Sequence, residues 1–383
     1  MKFILNRHIQ MAFAALVGLV LFALGQHDTA LTVGFLGATL PTKAGAATLL
    51  DFAKSIDPDG RVAKVAELLS QSNEILTDML WIEGNLPTGH QASIRTGLPT
   101  ATWRQLYGGV PASKSLRAQV VDTVGMLETR SEVDKALADL NGNTAAFRLS
   151  EATAFVEGMN QDFSEALIYG SQSVNPERIT GLAARYSSLS AANGVNIIDA
   201  GGAASDNTSV YLVVWGEQTV MGIFPKGSAA GLQHEDLGLI DAFDANNDRY
   251  RAYADWWCWK GGLHVKDWRY VVRIANIKLA DLQAQTGTQA LTAGTNLMKV
   301  MAKAMFRIPM MGMGKAVFYC NRTVKEYLAI MAMDKSQNAL AIQPATQQFG
   351  TVSPGSAGNG TVTFLGVPVR TVDRILNSET TVS

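Results

Sequence analysis

The longest stretch of helical spacing in the chain begins at Thr144. Leu149, Ala152, Val156, Met159, Phe163 and Ala166 recur at alternating three- and four-residue steps, while Glu151, Glu157 and Asp162 fall off that line. Such spacing lays one apolar stripe along a helix. A helix over 144–169, started by Asn141-Gly142-Asn143-Thr144 and stopped by Gly170, is roughly 39 Å long. Leu297, Val300, Met301, Ala304 and Met305 fit the same template, with Lys299, Lys303 and Arg307 off the stripe and Pro309 as the stop. Asn321 has the side chain to cap a further helix carrying Val324, Tyr327, Leu328 and Met331. Shorter helices are predicted over 47–53 and from Arg61 to about Ser70, separated by the turn residues Asp57-Pro58-Asp59-Gly60. The cluster Ile75, Leu76, Met79, Leu80 and Trp81 also fits helical spacing.

Between 195 and 277 the pattern changes to strands. Ser209–Trp215 is a strongly apolar strand and Gln218–Phe224 a second. Asp244–Asp248 and Lys260-Gly261-Gly262 read as hairpin tips, and Leu263–Ile274 as one long strand of roughly 40 Å. Ala316–Cys320 is a short buried strand. Gln347–Gly360 is a Gly/Ser/Pro loop, and Thr361–Leu376 holds two short strands around Gly366-Val367-Pro368-Val369. The segment from Gly84 to about Leu137 is punctuated by Pro87, Gly89, Gly97, Pro99, Gly108, Gly109 and Pro111. There Thr100–Arg104 and Gln119–Val124 read as two arms of a long hairpin. Two strands with little apolar area and no third strand are marginal alone, so this hairpin is expected to lie on something else.

Composition narrows the class. The chain has 383 residues, 47% of them hydrophobic, enough for a core and against intrinsic disorder. Lys and Arg total 32 against 33 acids, a net charge of −1, which argues against coating nucleic acid by charge neutralisation. Charged residues are 17%, below the roughly 25% of an average soluble domain; burial of uncharged surface between subunits is one way to reach such a value. Cys258 and Cys320 are too few for a disulfide framework or a zinc site. At the amino end Lys2 and Arg7 precede an apolar run from Met11 to Leu24, and Ala23-Leu24-Gly25 has the small-x-small pattern of a cleavage site. The run is signal-like and short of the roughly 20 residues that span a bilayer. Residues 27–45 read as a flexible arm.

The motifs that would carry chemistry are each incomplete. His234-Glu235-Asp236-Leu237-Gly238 begins like a zinc-protease helix, but glycine stands where the second imidazole is required. Asp244, Asn246, Asp248 and Asp255 occupy calcium-loop positions, yet Arg249 replaces the glycine of the sharp turn. Gly312-Met313-Gly314-Lys315 lacks both the first glycine and the hydroxyl of a phosphate loop. Gly227-Ser228 and Gly355-Ser356 miss the spacing of a nucleophile elbow. None of His8, His27, His90, His234 and His264 has a context that suggests a base. Trp256, Trp257, Trp259 and Trp268 read as an aromatic cluster of core or subunit contact around a packed Cys258 thiol. No catalytic, cofactor-binding or metal-binding residue is assigned, and no enzyme activity or cofactor is expected.

The order of these elements, an arm, a punctuated hairpin, a long helix, a β-rich block and a small α/β unit, resembles the major capsid proteins of tailed bacteriophages. Leu86-Pro87-Thr88-Gly89-His90, Asp139-Leu140-Asn141-Gly142-Asn143, Phe224-Pro225-Lys226-Gly227-Ser228, the stretch 231–238 and Asp267–Arg273 are similar to podovirus-type members of that family. The likeness spans about Thr42 to Leu376. It implies an α+β, HK97-like (Johnson) capsid fold. Its parts would be an amino-terminal arm over 34–83, an extended loop (E-loop) over 84–138 and a peripheral domain over 139–283 with 144–169 as its spine helix. An axial domain over 284–360 and closing strands over 361–383 would follow.

The implied function is a structural subunit that self-assembles into pentamers and hexamers of an icosahedral virion shell. The shell would enclose double-stranded DNA without sequence-specific binding and without a membrane, with scaffolding, portal and decoration proteins as partners and assembly in the host cytoplasm. An encapsulin-like compartment and an exported monomeric binding protein or hydrolase are the alternatives. Proteins of this family carry no export signal, so residues 1–33 are expected to be a leader that arises from a mis-assigned start or is removed. Intact mass spectrometry of the particle protein tests this: a species near 41.0 kDa contradicts both.

Overall fold

The fold is taken from a computed structural model, which describes residues 71–139, 144–202, 205–244, 246–285, 297–333, 340–343 and 361–383. The helices predicted over 47–53 and 61–70 and the loop over 347–360 lie outside the described residues. The described residues divide into two units, one drawn from 131–148 and 237–254 and the other from 71–130, 149–236 and 255–383.

The larger unit is organised by a strand that is buried along its whole length. Its described elements begin with α1 (Ile75–Asp78), β1 (Trp81–Glu83), β2 (Gly89–Gly97), β3 (Leu116–Thr123) and the start of β4 (Gly125–Asp134). After most of α3 (Thr144–Tyr169) come α4 (Leu182–Arg185), β5 (Ile197–Asp199), β6 (Asn207–Trp215) and β7 (Val220–Phe224). The series continues through the end of β9 (Arg249–Val265), β10 (Val271–Lys278), α5 (Leu279–Gln285), α6 (Leu297–Arg307), β11 (Lys315–Cys320), α7 (Arg322–Met333), β12 (Leu340–Gln343), β13 (Thr361–Phe364) and β14 (Val367–Thr371). β6 pairs antiparallel with β10 on one side and β11 on the other, and β11 continues in parallel to β14. Successive side chains of a strand point to opposite faces. Val210, Leu212 and Val214 therefore join Val300, Met301, Ala304, Val324 and Leu328 of α6 and α7 in one core. Tyr211, Val213 and Trp215 join Leu167 and Ile168 of α3 and Leu182 of α4 in the other. A run of valine, leucine and aromatics without polar alternation is what a strand covered on both faces requires.

One ion pair sits inside this unit. Arg273 Nη2 donates to Glu379 Oε2 at 2.9 Å, Nη1 to the Tyr186 carbonyl at 2.8 Å and Nε to Ser209 Oγ at 3.1 Å. Both charged side chains are 5% exposed, and the guanidinium also lies over the Tyr211 ring. Tyr169 and Ser209 hydroxyls donate to the same carboxylate. Burial, with that carboxylate beside it, pushes the Tyr169 hydroxyl far above its ordinary value. Every donor of the pair has a partner, the condition under which a buried charge is tolerated.

The smaller unit contains, among the described residues, the end of β4, α2 (Lys135–Ala138), the first residues of α3, the end of β8 (Leu232–Phe243) and the start of β9. Val133, Leu137, Ala138 and Phe147 form its core, with Tyr253 packed against them. Asp134 caps α2 by accepting from Ala136 N. Asp244 closes the β8–β9 turn by accepting from Asn246 N and Asp248 N, both at 2.8 Å.

Several sequence expectations need correction. The second hairpin arm stands where predicted, as 116–123, but the first is 89–97 and not Thr100–Arg104: Pro99 and the turn at Gln105–Gly108 interrupt 100–104, which pairs with no strand among the described residues. Lys260-Gly261-Gly262 is no tip but lies inside β9. A Cβ at Gly261 would come within 2.7 Å of the Phe163 ring and one at Gly262 within 2.6 Å of the Thr123 carbonyl, so these glycines admit close neighbours. Leu263–Ile274 is two strands, broken where Asp267 accepts from Arg269 N and a single 3-10 turn forms. The 75–81 cluster makes one helical turn and then a strand parallel to β7. On α3, Met159 and Phe163 of the stripe are buried, but Leu149 and Val156 are exposed. The helices at 297 and 322, the Asn321 cap (Thr323 N to Oδ1, 3.0 Å) and the strands at 207, 220, 315, 361 and 367 stand as predicted.

Removing one partner of a buried, hydrogen-bonded ion pair costs about 3–5 kcal/mol. Arg273→Met is therefore expected to lower the urea-unfolding midpoint of the subunit sharply, while Arg178→Ala, at an exposed pair with Glu165, leaves it nearly unchanged.

Candidate functional site

Among the described residues β2 and β3 form a two-stranded sheet with no third strand. They pair antiparallel from Gly89 opposite Thr123 to Gly97 opposite Leu116, with one irregularity after Arg95. Along β3 five of eight residues are exposed, and the segment between the arms carries the two most exposed large hydrophobic side chains among the described residues. Trp103 and Tyr107 are fully exposed, and Leu98, Leu106 and Val110 largely so. A turn at Gln105–Gly108 holds Tyr107 at φ 68°, and Ser113 Oγ donates to the Thr100 carbonyl at 3.1 Å. The tip is thus apolar and, among the described residues, uncovered, the arrangement of an interaction surface. Residues 84–121 contain Arg95, Arg104, Lys114 and Arg117 and no Asp or Glu, so the ribbon is basic in a chain that is close to neutral.

The tip is exposed, but the base is fixed. Asp122 is 7% exposed and accepts from Arg185 Nη2 and His264 Nδ1, both at 2.7 Å, and from Val265 N at 3.1 Å. Burial would raise this carboxyl, but the His264 hydrogen bond and the Arg185 guanidinium outweigh it and hold it below its ordinary value. The His90 ring meets the His264 ring edge-on at 4.7 Å. Burial, then His264 and Lys266, lowers His90 against the opposing pull of Asp122. Gly89 is demanded by this base, since a Cβ there would come within 2.2 Å of the Asp122 carbonyl. Val124 N to Thr88 O (2.9 Å) and Gly227 N to Glu83 Oε1 (2.7 Å) complete the attachment.

The positions singled out in the sequence for chemistry are spread over the fold. His234 lies on a strand and not a helix, 3.1 Å from Asp255 and stacked on Trp257. Asp244 serves the β8–β9 turn. Gly312–Lys315 is a short turn leading into β11, with Lys315 Nζ 2.5 Å from Asp78. Trp257 stacks on Phe155 and Trp259 on Phe163, but Trp268 stands apart in its 3-10 turn, 39% exposed. Cys258 and Cys320 are free and buried, and burial pushes the Cys320 thiol up to about 12. Among the described residues no group of three or more His, Cys, Asp or Glu is placed to hold a metal ion, and no helix is long and apolar enough to cross a membrane. The Asp122–His264–His90 set was not visible in the sequence; an aspartate inside the β-branched run Val120-Val121-Asp122-Thr123-Val124 is the one signal that could have found it.

The model of one family, major capsid protein GP7, matches residues 57–383. The chain belongs to that family. A chain in the cryo-EM structure of bacteriophage Epsilon15 is 32% identical to this capsid protein, with a TM-score of 0.66 over 88% of this chain and 97% of that one. The capsid of bacteriophage JBD30 (9% identity, TM-score 0.43, 83% of this chain and 99% of that one) is more distant. So is an encapsulin from Synechococcus elongatus (10%, 0.40, 65% and 99%). Among curated proteins none matches. The protein is a tailed-phage major capsid protein, a structural subunit of the virion's shell with an α+β fold.

The fixed base makes the hairpin's attachment to the capsid subunit depend on pH. Asp122 stays ionised to lower pH in the folded chain than in the unfolded one. Its contribution is therefore complete above the ordinary value of 3.8 and lost as pH falls through the lower folded value. His90 acts earlier, because the unfolded chain takes up its proton first once pH drops below 6.5. The urea midpoint is thus expected to fall between pH 7 and pH 5.5 (roughly the range His90 governs). His90→Gln should flatten that slope, and Asp122→Asn should flatten the acid limb below about pH 4.

Proposed function

We propose that copies of this chain join head to tail into pentamers and hexamers, and that these tile an icosahedral shell around double-stranded DNA. Residues 84–138 act as the extended loop that lies on a neighbouring subunit, and 144–169 as the spine helix of a peripheral domain spanning 139–283. Residues 284–360 form the axial domain around the capsomer's symmetry axes, with 361–383 as closing strands. The shell is built in the host cytoplasm with scaffolding, portal and decoration proteins, and the subunit itself performs no catalysis.

The observation that carries this reading is the uncovered tip. Trp103 and Tyr107 are fully exposed among the described residues, and a contact between two different surfaces of identical subunits closes into rings when its rotation allows. Burying two aromatic anchors is worth several kcal/mol to such an interface, which a monomer in dilute solution forgoes.

The test is assembly. Trp103→Ala/Tyr107→Ala removes only exposed side chains, so the subunit is expected to keep its circular dichroism spectrum and unfolding midpoint. Its yield of sedimenting particles should fall at least about tenfold, the effect of losing one hot-spot residue. Wild-type yield from this variant overturns the reading, as does a wild-type particle filled with protein and free of DNA.

A further inference from the structure

Among the described residues, one side of the long helix borders a concave surface that its neighbours leave open. β4 and the 149–169 part of α3 border a groove of about 310 Å³ lined by Leu127, Ala154, Phe155, Gly158 and Met159, with Glu128 and Asp162 at its polar side. Ala154, Gly158 and Asp162 are four residues apart and so share one helix face. Phe155 is held from beneath by Trp257, stacked at 5.5 Å and 9°. Gly158 is the informative position. Glycine inside a helix is destabilising relative to alanine, and a Cβ built there would meet nothing within 4 Å. The subunit's own packing does not call for a glycine, and the space above it stands open.

We propose that this groove receives Trp103 from the hairpin of a second copy, with the adjoining Arg104 set against the carboxylates Glu128 and Asp162. The proposal rests on the reading that the hairpin lies on a neighbour, and adds the receptor. Shape and polarity agree: an uncovered indole on one surface, and on another an apolar groove with an aromatic floor large enough to take it. Charge agrees as well. Residues 84–121 carry four cations and no acid, whereas 149–169 carries Glu151, Glu157, Asp162 and Glu165 and no Lys or Arg. Arg374 meets Asp162 at 3.7 Å and Glu165 at 2.8 Å, and Arg178 meets Glu165 at 3.4 Å. These two cations meet Asp162 and Glu165, and Glu128 adds a further carboxylate at the groove. Complementary charge fixes register and speeds encounter, and the buried aromatic supplies the anchor. Each copy offers one tip and one groove, so every contact leaves a tip and a groove free for the next copy until the ring closes.

Two measurements test the groove. In assembled particles of the double variant Trp103→Cys/Gly158→Cys, mild oxidation by a copper–phenanthroline catalyst with dissolved oxygen as electron acceptor should join the two thiols of adjacent copies. A ladder of covalent oligomers is then expected on a denaturing gel, with each single variant remaining monomeric because Cys258 and Cys320 are buried. Separately, Gly158→Trp fills the groove from within while Gly158→Ala leaves it open. The tryptophan variant should lose at least tenfold in particle yield with its unfolding midpoint retained, and the alanine variant should assemble normally. Particles of the double-cysteine variant without a ladder, or wild-type assembly of Gly158→Trp, overturn the proposal. Wild-type assembly of Gly158→Trp together with failure of Trp103→Ala/Tyr107→Ala removes the groove and keeps the hairpin's role; wild-type assembly of both removes the role itself. Protection of Trp103 by DNA, seen as a fluorescence change on nuclease treatment in place of the ladder, also overturns it.

Discussion

Two strands have two faces and no interior, and this geometric limit governs how the chain distributes its stability. The β2–β3 ribbon pairs the backbone groups that face each other across its two strands, yet it has nowhere to put Leu98, Trp103, Leu106, Tyr107 and Val110. Those side chains stay in water until another surface arrives. The subunit cannot remedy this by folding harder. What it can do is hold the base still, and Asp122 does so by joining β3 to Arg185 of α4, to His264 and to the backbone of Val265. A ribbon rigid at its root and apolar at its end loses less freedom on binding than a disordered segment would.

The interior obeys a different economy. β6 is covered on both faces by two cores that share no side chain, because neighbouring residues along a strand point in opposite directions. A charge buried near such a sheet is tolerable only if fully partnered. Arg273 and Glu379 meet that condition through Tyr169, Ser209, the Tyr186 carbonyl and the Tyr211 ring. The same pair ties residue 379 to the middle of the sheet.

Local rules made much of this legible. Helices with an amphipathic stripe and an identifiable cap or stop, at 144–169, 297–307 and 322–333, were readable because spacing and cap chemistry act within a few residues. The apolar run 209–215 was readable because burial on two faces leaves no alternation to confuse it. Gly261 and Gly262 were misread because a glycine that turns the chain and one that admits a neighbouring ring look alike until the ring of Phe163 is in place. Strand 89–97 was missed because its residues have little β preference of their own and are extended by pairing with β3. Leu149 and Val156 fit the stripe of α3 yet stay exposed, since periodicity marks a face and not what covers it. The Asp122 cluster joins residues up to 174 positions apart (His264 and His90), beyond the reach of any pattern in the string. The marginality of a lone pair of strands already called for a covering surface; the resemblance to capsid proteins added the expectation that this surface belongs to a neighbouring copy.

The tie between residue 379 and the sheet has a consequence for synthesis. β11 waits for β14 to complete its pairing, Glu74 waits for Arg370 at 2.6 Å, and the Arg273 guanidinium has no counter-ion until Glu379 leaves the ribosome. A nascent chain whose ribbon is already out of the ribosome therefore still lacks the last strands and the last counter-ion of its own sheet.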